Sequence, residues 1–162
     1  MMKRYDRQIK FNSFGADGQE NMMSSTVMVM GAGALGSHVS EMLTRMGVGR
    51  LIVIDMDIIE MSNLHRQTLY TEQDAERMRP KVEVLKERLG EINSDTNIIT
   101  VNIELDSNNI SAILQKYQPD IVIDGMDHFE IRFLINEVCH KYDIPWIYGA
   151  AVGSKTCGAK SN

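Results

Sequence analysis

The chain has 162 residues, 43% hydrophobic and 24% charged, with a net charge of −5; the length predicts one domain and the balance allows a sizeable core. The acidic charge, without any basic stripe, argues against nucleic-acid binding, and Cys139 and Cys157 form neither a disulfide framework nor a zinc set. The polar first ten residues are no signal peptide, and the apolar runs are strand-length, too short for a membrane span, so a cytoplasmic protein is expected.

Residues 1–26 are polar with scattered apolar positions, and read as a short helix around Tyr5 to Gln8 followed by a connector past Phe11 and Phe14. Residues 26–30 are apolar and partly β-branched, and run into the glycine-rich stretch that starts at Gly31, a pattern for a buried strand ending in a tight turn. Val39, Met42, Leu43 and Met46 recur at helical spacing before Gly47. Residues 50–55 are a second continuous apolar strand. Continuous apolar strands imply a parallel sheet covered on both faces. Val82, Leu85, Leu89 and Ile92 mark a helix opening near Pro80; residues 97–103 alternate like a strand; Ile110, Ile113 and Leu114 suggest a helix. Residues 119–124 are another buried strand, Phe129, Phe133, Leu134 and Val138 line a helix, and residues 146–152 form a final strand. The fold class is therefore α/β: a Rossmann-like, doubly wound, mostly parallel sheet, with ligand expected at the carboxyl ends of its strands.

Gly31, Gly33 and Gly36 fit G-x-G-x-x-G between a strand and a helix. Gly31 permits the tight turn, Gly33 lets a phosphate approach the backbone, and Gly36 lets the helix pack close to the strand. The helix N-terminus then offers free N–H groups and a positive dipole end to an anion. Asp55 stands about 19 residues beyond Gly36, close to the spacing of an acid that grips ribose hydroxyls. This combination points to an adenosine-containing cofactor. It is compatible with both a nicotinamide dehydrogenase and an ATP-using enzyme.

Residues beyond the second strand favour phosphate chemistry. Arg66 is able to form two parallel bonds to a phosphate, and Asn63 to orient one, with Gln67 beside them. Lys81 opens a helix, where it adds a point charge to a region already favourable to anions. Asp127 follows the strand 119–124 and suits a Mg²⁺ ion bridging phosphates; Arg132, one turn into the next helix, is placed to pair with Asp127 or a neighbouring acid. Taken singly, a lone Arg is usually solvated, Lys81 suits an ordinary helix surface, and Asp127 suits a helix cap. Their shared position at the carboxyl edge of three strands carries the reading of the set.

Arg4-Tyr5-Asp6-Arg7-Gln8, Gly18-Gln19, GAGALG, Asp55-Met-Asp57, SNLHRQ, Pro80-Lys81, DGMD-x4-R and IPWIYGAAVG follow one another over residues 4–153. That ordered set resembles the ThiF/MoeB/HesA family of ubiquitin-activating-like adenylyltransferases. The resemblance implies an ATP- and Mg²⁺-dependent reaction that attaches AMP to the C-terminal glycine of a ubiquitin-like sulfur-carrier protein, as in thiamine or molybdopterin synthesis. It implies that Gly31, Gly33, Gly36, Asp55, Asp57, Asn63 and Gln67 bind the nucleotide. Arg66 and Lys81 then handle phosphates and Asp127 serves the metal. Arg7 resembles an arginine that reaches into the partner subunit's site, which implies a homodimer.

Two departures stand out. His128 occupies the position where the family has Asn; it, like His38, His65 and His140, also suits an ordinary polar surface. After Gly153 the family continues with further strands, a crossover loop and, in many members, a zinc site of paired CxxC motifs. Here residues 154–162 are polar, lack a strand pattern and do not resemble the family. The expectation is a C-terminally truncated member with no zinc site. Its parts are a helical segment over 1–26, a nucleotide-binding domain over 27–153 that is incomplete relative to the family, and a non-matching tail over 154–162. Cys157 reads as a free thiol rather than a sulfur acceptor. The alternatives are a catalytically inactive nucleotide-binding fragment and an NAD-dependent oxidoreductase; the latter lacks a Tyr–Lys or His–Asp constellation and would leave Arg66 and Lys81 idle.

Overall fold

Strands that are apolar on every residue need cover on both faces, and the chain provides it. The computed structural model describes the backbone of residues 2–152 and 155–161 and the side chains of residues 3–150. After a 3-10 turn, α1 (Asp6–Ile9) and α2 (Gly15–Ser24) lead into β1 (Thr26–Met30), α3 (Ala34–Met46) and β2 (Arg50–Ile54). A 3-10 turn over Met61–Asn63 precedes α4 (Glu72–Glu76), α5 (Lys81–Ile92) and β3 (Asn97–Val101). Then come α6 (Ile110–Tyr117), β4 (Ile121–Asp124), α7 (Phe129–Lys141), β5 (Trp146–Val152) and β6 (Lys155–Ser161).

The sheet has six strands in the order β3-β2-β1-β4-β5-β6. The first five are parallel, with Val29 of β1 paired to Val53 on one side and to Ile123 on the other. Alternate residues of β1 serve opposite cores, as the two-residue strand period requires. Val27 and Val29 join Leu51, Val53, Val82, Leu85 and Leu89 under α3 and α5. Met28 and Met30 join Ile52, Ile54, Ile113, Leu114 and Ile135 under α6 and α7. The doubly wound reading is thereby realised. The chain order reverses between β1 and β4, and the crevice outside their carboxyl ends is where such a sheet takes a ligand. Among the described residues, no helix is long and apolar enough to cross a membrane.

The structure departs from the sequence reading at both ends of the chain. The stretch read as a connector contains α2, whose only fully buried residue is Gln19, with Met22 partly buried against the core; so few inward positions leave little apolar periodicity to read. At the other end, the segment judged to lack a strand pattern forms β6. It runs antiparallel to β5 in register from Trp146↔Ser161 to Val152↔Lys155. The edge of β5 is therefore paired by this segment. A hairpin edge strand is held by backbone N–H and C=O groups, and polar side chains are what an edge tolerates best. The side chain of Cys157 lies outside the described residues.

Candidate nucleotide site

The glycine loop is drawn together from three strands. The Gly31 N–H donates to the Ile54 carbonyl at 2.8 Å, and the Gly125 N–H donates to the Met30 carbonyl at 2.8 Å. Gly31 has a φ of +96°, where an L side chain is strained, and a Cβ there would meet the Gly125 oxygen at 2.9 Å. A Cβ on Gly36 would overlap the Gly31 carbonyl. Gly33 differs: its extended backbone has room, and the nearest atom to an added Cβ is Gln67 Nε2 at 3.8 Å. Gly33 also caps α3 with no side-chain cap in place, so the first N–H groups of that helix remain available to an acceptor.

Asp55 directly follows β2, beside this loop. Its Oδ2 accepts from the Ala32 N–H at 2.6 Å and its Oδ1 from the Asp57 N–H at 2.7 Å. Burial pushes its pKa above the ordinary value, and these two hydrogen bonds and the Lys81 charge pull part of the way back. The loop is also held from behind. The Tyr70 hydroxyl, buried, donates to the Ala32 carbonyl at 2.7 Å.

Lys81 is not the free point charge its place at a helix start suggested. It is 5% exposed, its Nζ sits 2.7 Å from Asp57 Oδ2, and its N–H donates to the Asp57 carbonyl at 2.9 Å. Asp57 thus fixes both ends of the Lys81 residue at the mouth of the loop. Gln67 is buried with its Oε1 unpartnered, and its Nε2 is the atom toward Gly33, 3.8 Å from a Cβ built there. Asn63 accepts the Glu60 N–H at 3.2 Å and so closes a 3-10 turn. Arg66 is exposed, and its Nη1 donates to the Ser62 carbonyl at 3.2 Å on the same turn.

Across the crevice, Arg132 pairs with Asp124 and not with Asp127. Its Nε lies 3.5 Å from Asp124 Oδ2. Its guanidinium also bonds the Met126 and Gly149 carbonyls and lies over the Tyr148 ring. Asp124 is fully buried, accepts the Met126 N–H at 2.8 Å, and has its pKa raised by burial. Arg132 therefore ties the loop after β4 to β5. Asp127, on that loop, is 89% exposed, with His128 3.6 Å away. Among the described residues no group of three or more His, Cys, Asp or Glu side chains gathers around a metal position. A Mg²⁺ ion needs no such cage, because one carboxylate, substrate phosphates and water complete its shell. A solvent-facing carboxylate such as Asp127 fits that donor set.

The site holds a glycine loop at the switch point, an acid just past β2 and a buried lysine beside it, and residues 5–157 fit the model of the ThiF family. The chain belongs to the ThiF family. It is 40% identical over 154 residues to the sulfur carrier protein ThiS adenylyltransferase of Bacillus subtilis, covering 95% of this chain and 45% of that protein. It is 40% identical over 149 residues to the molybdopterin-synthase adenylyltransferase of Haemophilus influenzae, covering 92% of this chain and 60% of that one. The chain thus spans about half the length of these curated relatives. Among solved structures, E. coli MccB in complex with ATP aligns with a TM-score of 0.81 and 32% identity over 92% of this chain and 44% of that one. E. coli TcdA, at 24% identity and a TM-score of 0.87, covers 95% of this chain and 61% of that one, and bears out the fold.

The N-terminal motifs of this ThiF-family chain have a structural account. Gln8 and Gln19 both donate to the Met46 carbonyl, at 3.0 and 3.1 Å. Asn93 donates to the Tyr5 hydroxyl at 2.9 Å and to the Thr44 carbonyl at 2.9 Å. Arg4 donates to the Ile92 carbonyl at 3.0 Å. Gln8, Gln19 and Arg4 thereby satisfy the Met46 and Ile92 carbonyls that the last turns of α3 and α5 leave without helical partners; the Thr44 carbonyl also accepts the Gly47 N–H. Arg7 lies exposed on α1, in a segment anchored at the far end of α3, about 18 Å along the helix axis from the glycine loop. The structure gathers the three glycines, Asp55, Asp57, Gln67 and Lys81 at one place. It leaves Arg66 and Asp127 exposed on neighbouring turns and sets Arg7 apart. Sequence reading missed Tyr70, whose only signal was its nearness in sequence to a motif, and left the partner of Arg132 open between Asp127 and a neighbouring acid, which the structure shows to be Asp124.

Proposed function

We propose that this chain supplies the nucleotide half of an adenylyltransferase, in which ATP activates the C-terminal glycine carboxylate of a ubiquitin-like sulfur-carrier protein. The observation that carries the reading is Gly33. It is an open backbone position at an uncapped helix N-terminus, with Asp55 on one side and the Asp57-bound Lys81 on another. A phosphate chain meets N–H groups and an ammonium there, and the acid is left for ribose hydroxyls.

In the proposed reaction a carboxylate oxygen of the carrier attacks the α-phosphorus of ATP. A C–O–P bond forms, the bond from the α-phosphorus to the bridging oxygen breaks, and pyrophosphate leaves with the electron pair. No protein nucleophile is required, so catalysis is orientation plus neutralisation of charge. Gly33 and the N-terminus of α3 orient the phosphates; Lys81, held by Asp57, and Arg66 offset their charge. Asp127 is the residue to hold Mg²⁺, which when bound neutralises phosphate charge. Arg7, too far from this chain's own loop, serves the site of a second copy in a homodimer. The relatives' names, ThiS and molybdopterin-synthase adenylyltransferase, support the carrier class, and a cytoplasmic location follows from it. The test is carrier-dependent exchange of labelled pyrophosphate into ATP, with a carrier lacking its terminal glycine as control. Exchange that ignores the carrier, or reduction of NAD in its place, would overturn the proposal.

A further inference from the structure

We infer that Tyr70 is a positioning residue for the phosphate-binding backbone, acting through the Ala32–Gly33 peptide; the inference rests on the nucleotide reading above. Two successive peptide groups of the glycine loop are pinned from different sides. The Gly31–Ala32 peptide is held by its N–H, which donates to Asp55 at 2.6 Å. The Ala32–Gly33 peptide is held by its carbonyl, which accepts the Tyr70 hydroxyl at 2.7 Å. A trans peptide is planar, with its C=O and N–H pointing in opposite directions, and no peptide in the described chain is cis. Fixing the Ala32 carbonyl toward the buried Tyr70 therefore aims the Gly33 N–H away from it. No acceptor among the described residues takes that N–H.

Tyr70 is itself well placed for this. It is 5% exposed, and burial, followed by the nearby Asp55 charge, pushes its ionisation well above that of a free tyrosine. The hydroxyl remains a donor throughout the working range of pH. Its N–H donates to the Gln67 carbonyl at 3.2 Å, and Gln67 Nε2 is the nearest atom to a Cβ built on Gly33. One turn of chain thus addresses two adjacent loop residues, Ala32 through Tyr70 and Gly33 through Gln67. Pre-orienting a donor improves binding of the group that meets it and leaves the rest of the ligand unaffected.

The test is calorimetric titration of the full chain with Mg·ATP and with adenosine, for wild type, Tyr70→Phe and 4-aminophenylalanine at position 70. Loss of one oriented hydrogen bond should weaken ATP roughly 3- to 10-fold. Adenosine, which has no phosphate to meet Gly33, should change by less than about twofold. The amino analogue keeps a donor at the same place and should restore most of the ATP affinity. A purely structural role would weaken both ligands alike. That result, unchanged ATP affinity in Tyr70→Phe, no rescue by the amino analogue, or failure of the Phe variant to fold would each overturn the inference. Wild-type chain without measurable ATP affinity would overturn the nucleotide reading and this inference together. Wild-type binding matched by Tyr70→Phe would overturn this inference alone.

Discussion

Alanine at Gly33 and alanine at Gly36 should fail in opposite ways. At Gly33 the backbone has a φ of −75° and a ψ of −154°, open to any L residue, and the new methyl meets nothing closer than 3.8 Å. Replacing glycine at a compatible site stabilises by about 0.4–1 kcal/mol through the unfolded chain. Alanine is a poorer N-cap than glycine by a comparable amount, so the two effects roughly cancel. The methyl does occupy the side from which a phosphate approaches. Losing one or two charge-assisted N–H contacts costs about 1.5–3 kcal/mol, or roughly 10- to 150-fold in affinity. At Gly36 a methyl overlaps the Gly31 carbonyl, so α3 must back away from β1, an overpacking cost of about 1–3 kcal/mol. In a chain of 162 residues that lowers the melting temperature by roughly 2–12 °C. Thermal unfolding by circular dichroism and ATP titration on the same samples read both effects. A Gly33→Ala chain that melts several degrees low yet binds ATP normally would refute the reasoning, as would a Gly36→Ala chain with wild-type stability.

Lys81→Met keeps the buried stem and leaves Asp57, whose side chain is 54% exposed, to solvent; stability should change by under about 1 kcal/mol while ATP affinity drops roughly 10- to 150-fold. Calorimetry beside a melting curve checks this, and a large stability loss with unchanged affinity would make the pair purely structural. Adenosine affinity should weaken as pH falls through the raised pKa of Asp55, because a protonated carboxyl accepts ribose hydroxyls poorly; the midpoint should lie above the ordinary aspartate value of 3.8. The stability effect has the opposite sign: a carboxyl whose folded pKa is raised favours the folded state fully below 3.8 and loses that contribution as pH rises through the folded value. Asp55→Asn should therefore flatten both profiles, measured by titration and melting across pH. Removing residues 153–162 strips β6 from β5, whose residues beyond Tyr148 pair only with β6; light scattering on warming should rise relative to the full chain, and no rise would show that the edge needs no cover.

The sheet was largely legible because its central strands are apolar on every residue and end at recognisable turns. Val29, Val53 and Ile123 lie side by side as a doubly wound sheet requires. The glycine loop was legible too, since Gly31 and Gly36 answer local steric demands and Gly33 keeps the approach to the backbone open. What lay outside local pattern was not. Lys81 follows Pro80 and reads as a helix start, yet its ammonium is buried by a pairing with Asp57, 24 residues back in sequence. Tyr70 sits in a stretch without periodicity, and only the fold brings its hydroxyl to Ala32, 38 residues away. The partner of Arg132 was left between Asp127 and a neighbouring acid, and burial of Asp124 decides it. β6 escaped notice because backbone pairing in a hairpin leaves no hydrophobic trace.

The central claim is that the loop at Gly31–Gly36 holds the adenosine and phosphates of ATP in preference to a nicotinamide dinucleotide. Isothermal titration of the full chain with Mg·ATP and, separately, with NAD tests it most directly. The account predicts tighter binding of ATP, with that preference reduced in Lys81→Met and Arg66→Ala. Equal or tighter binding of NAD would contradict it.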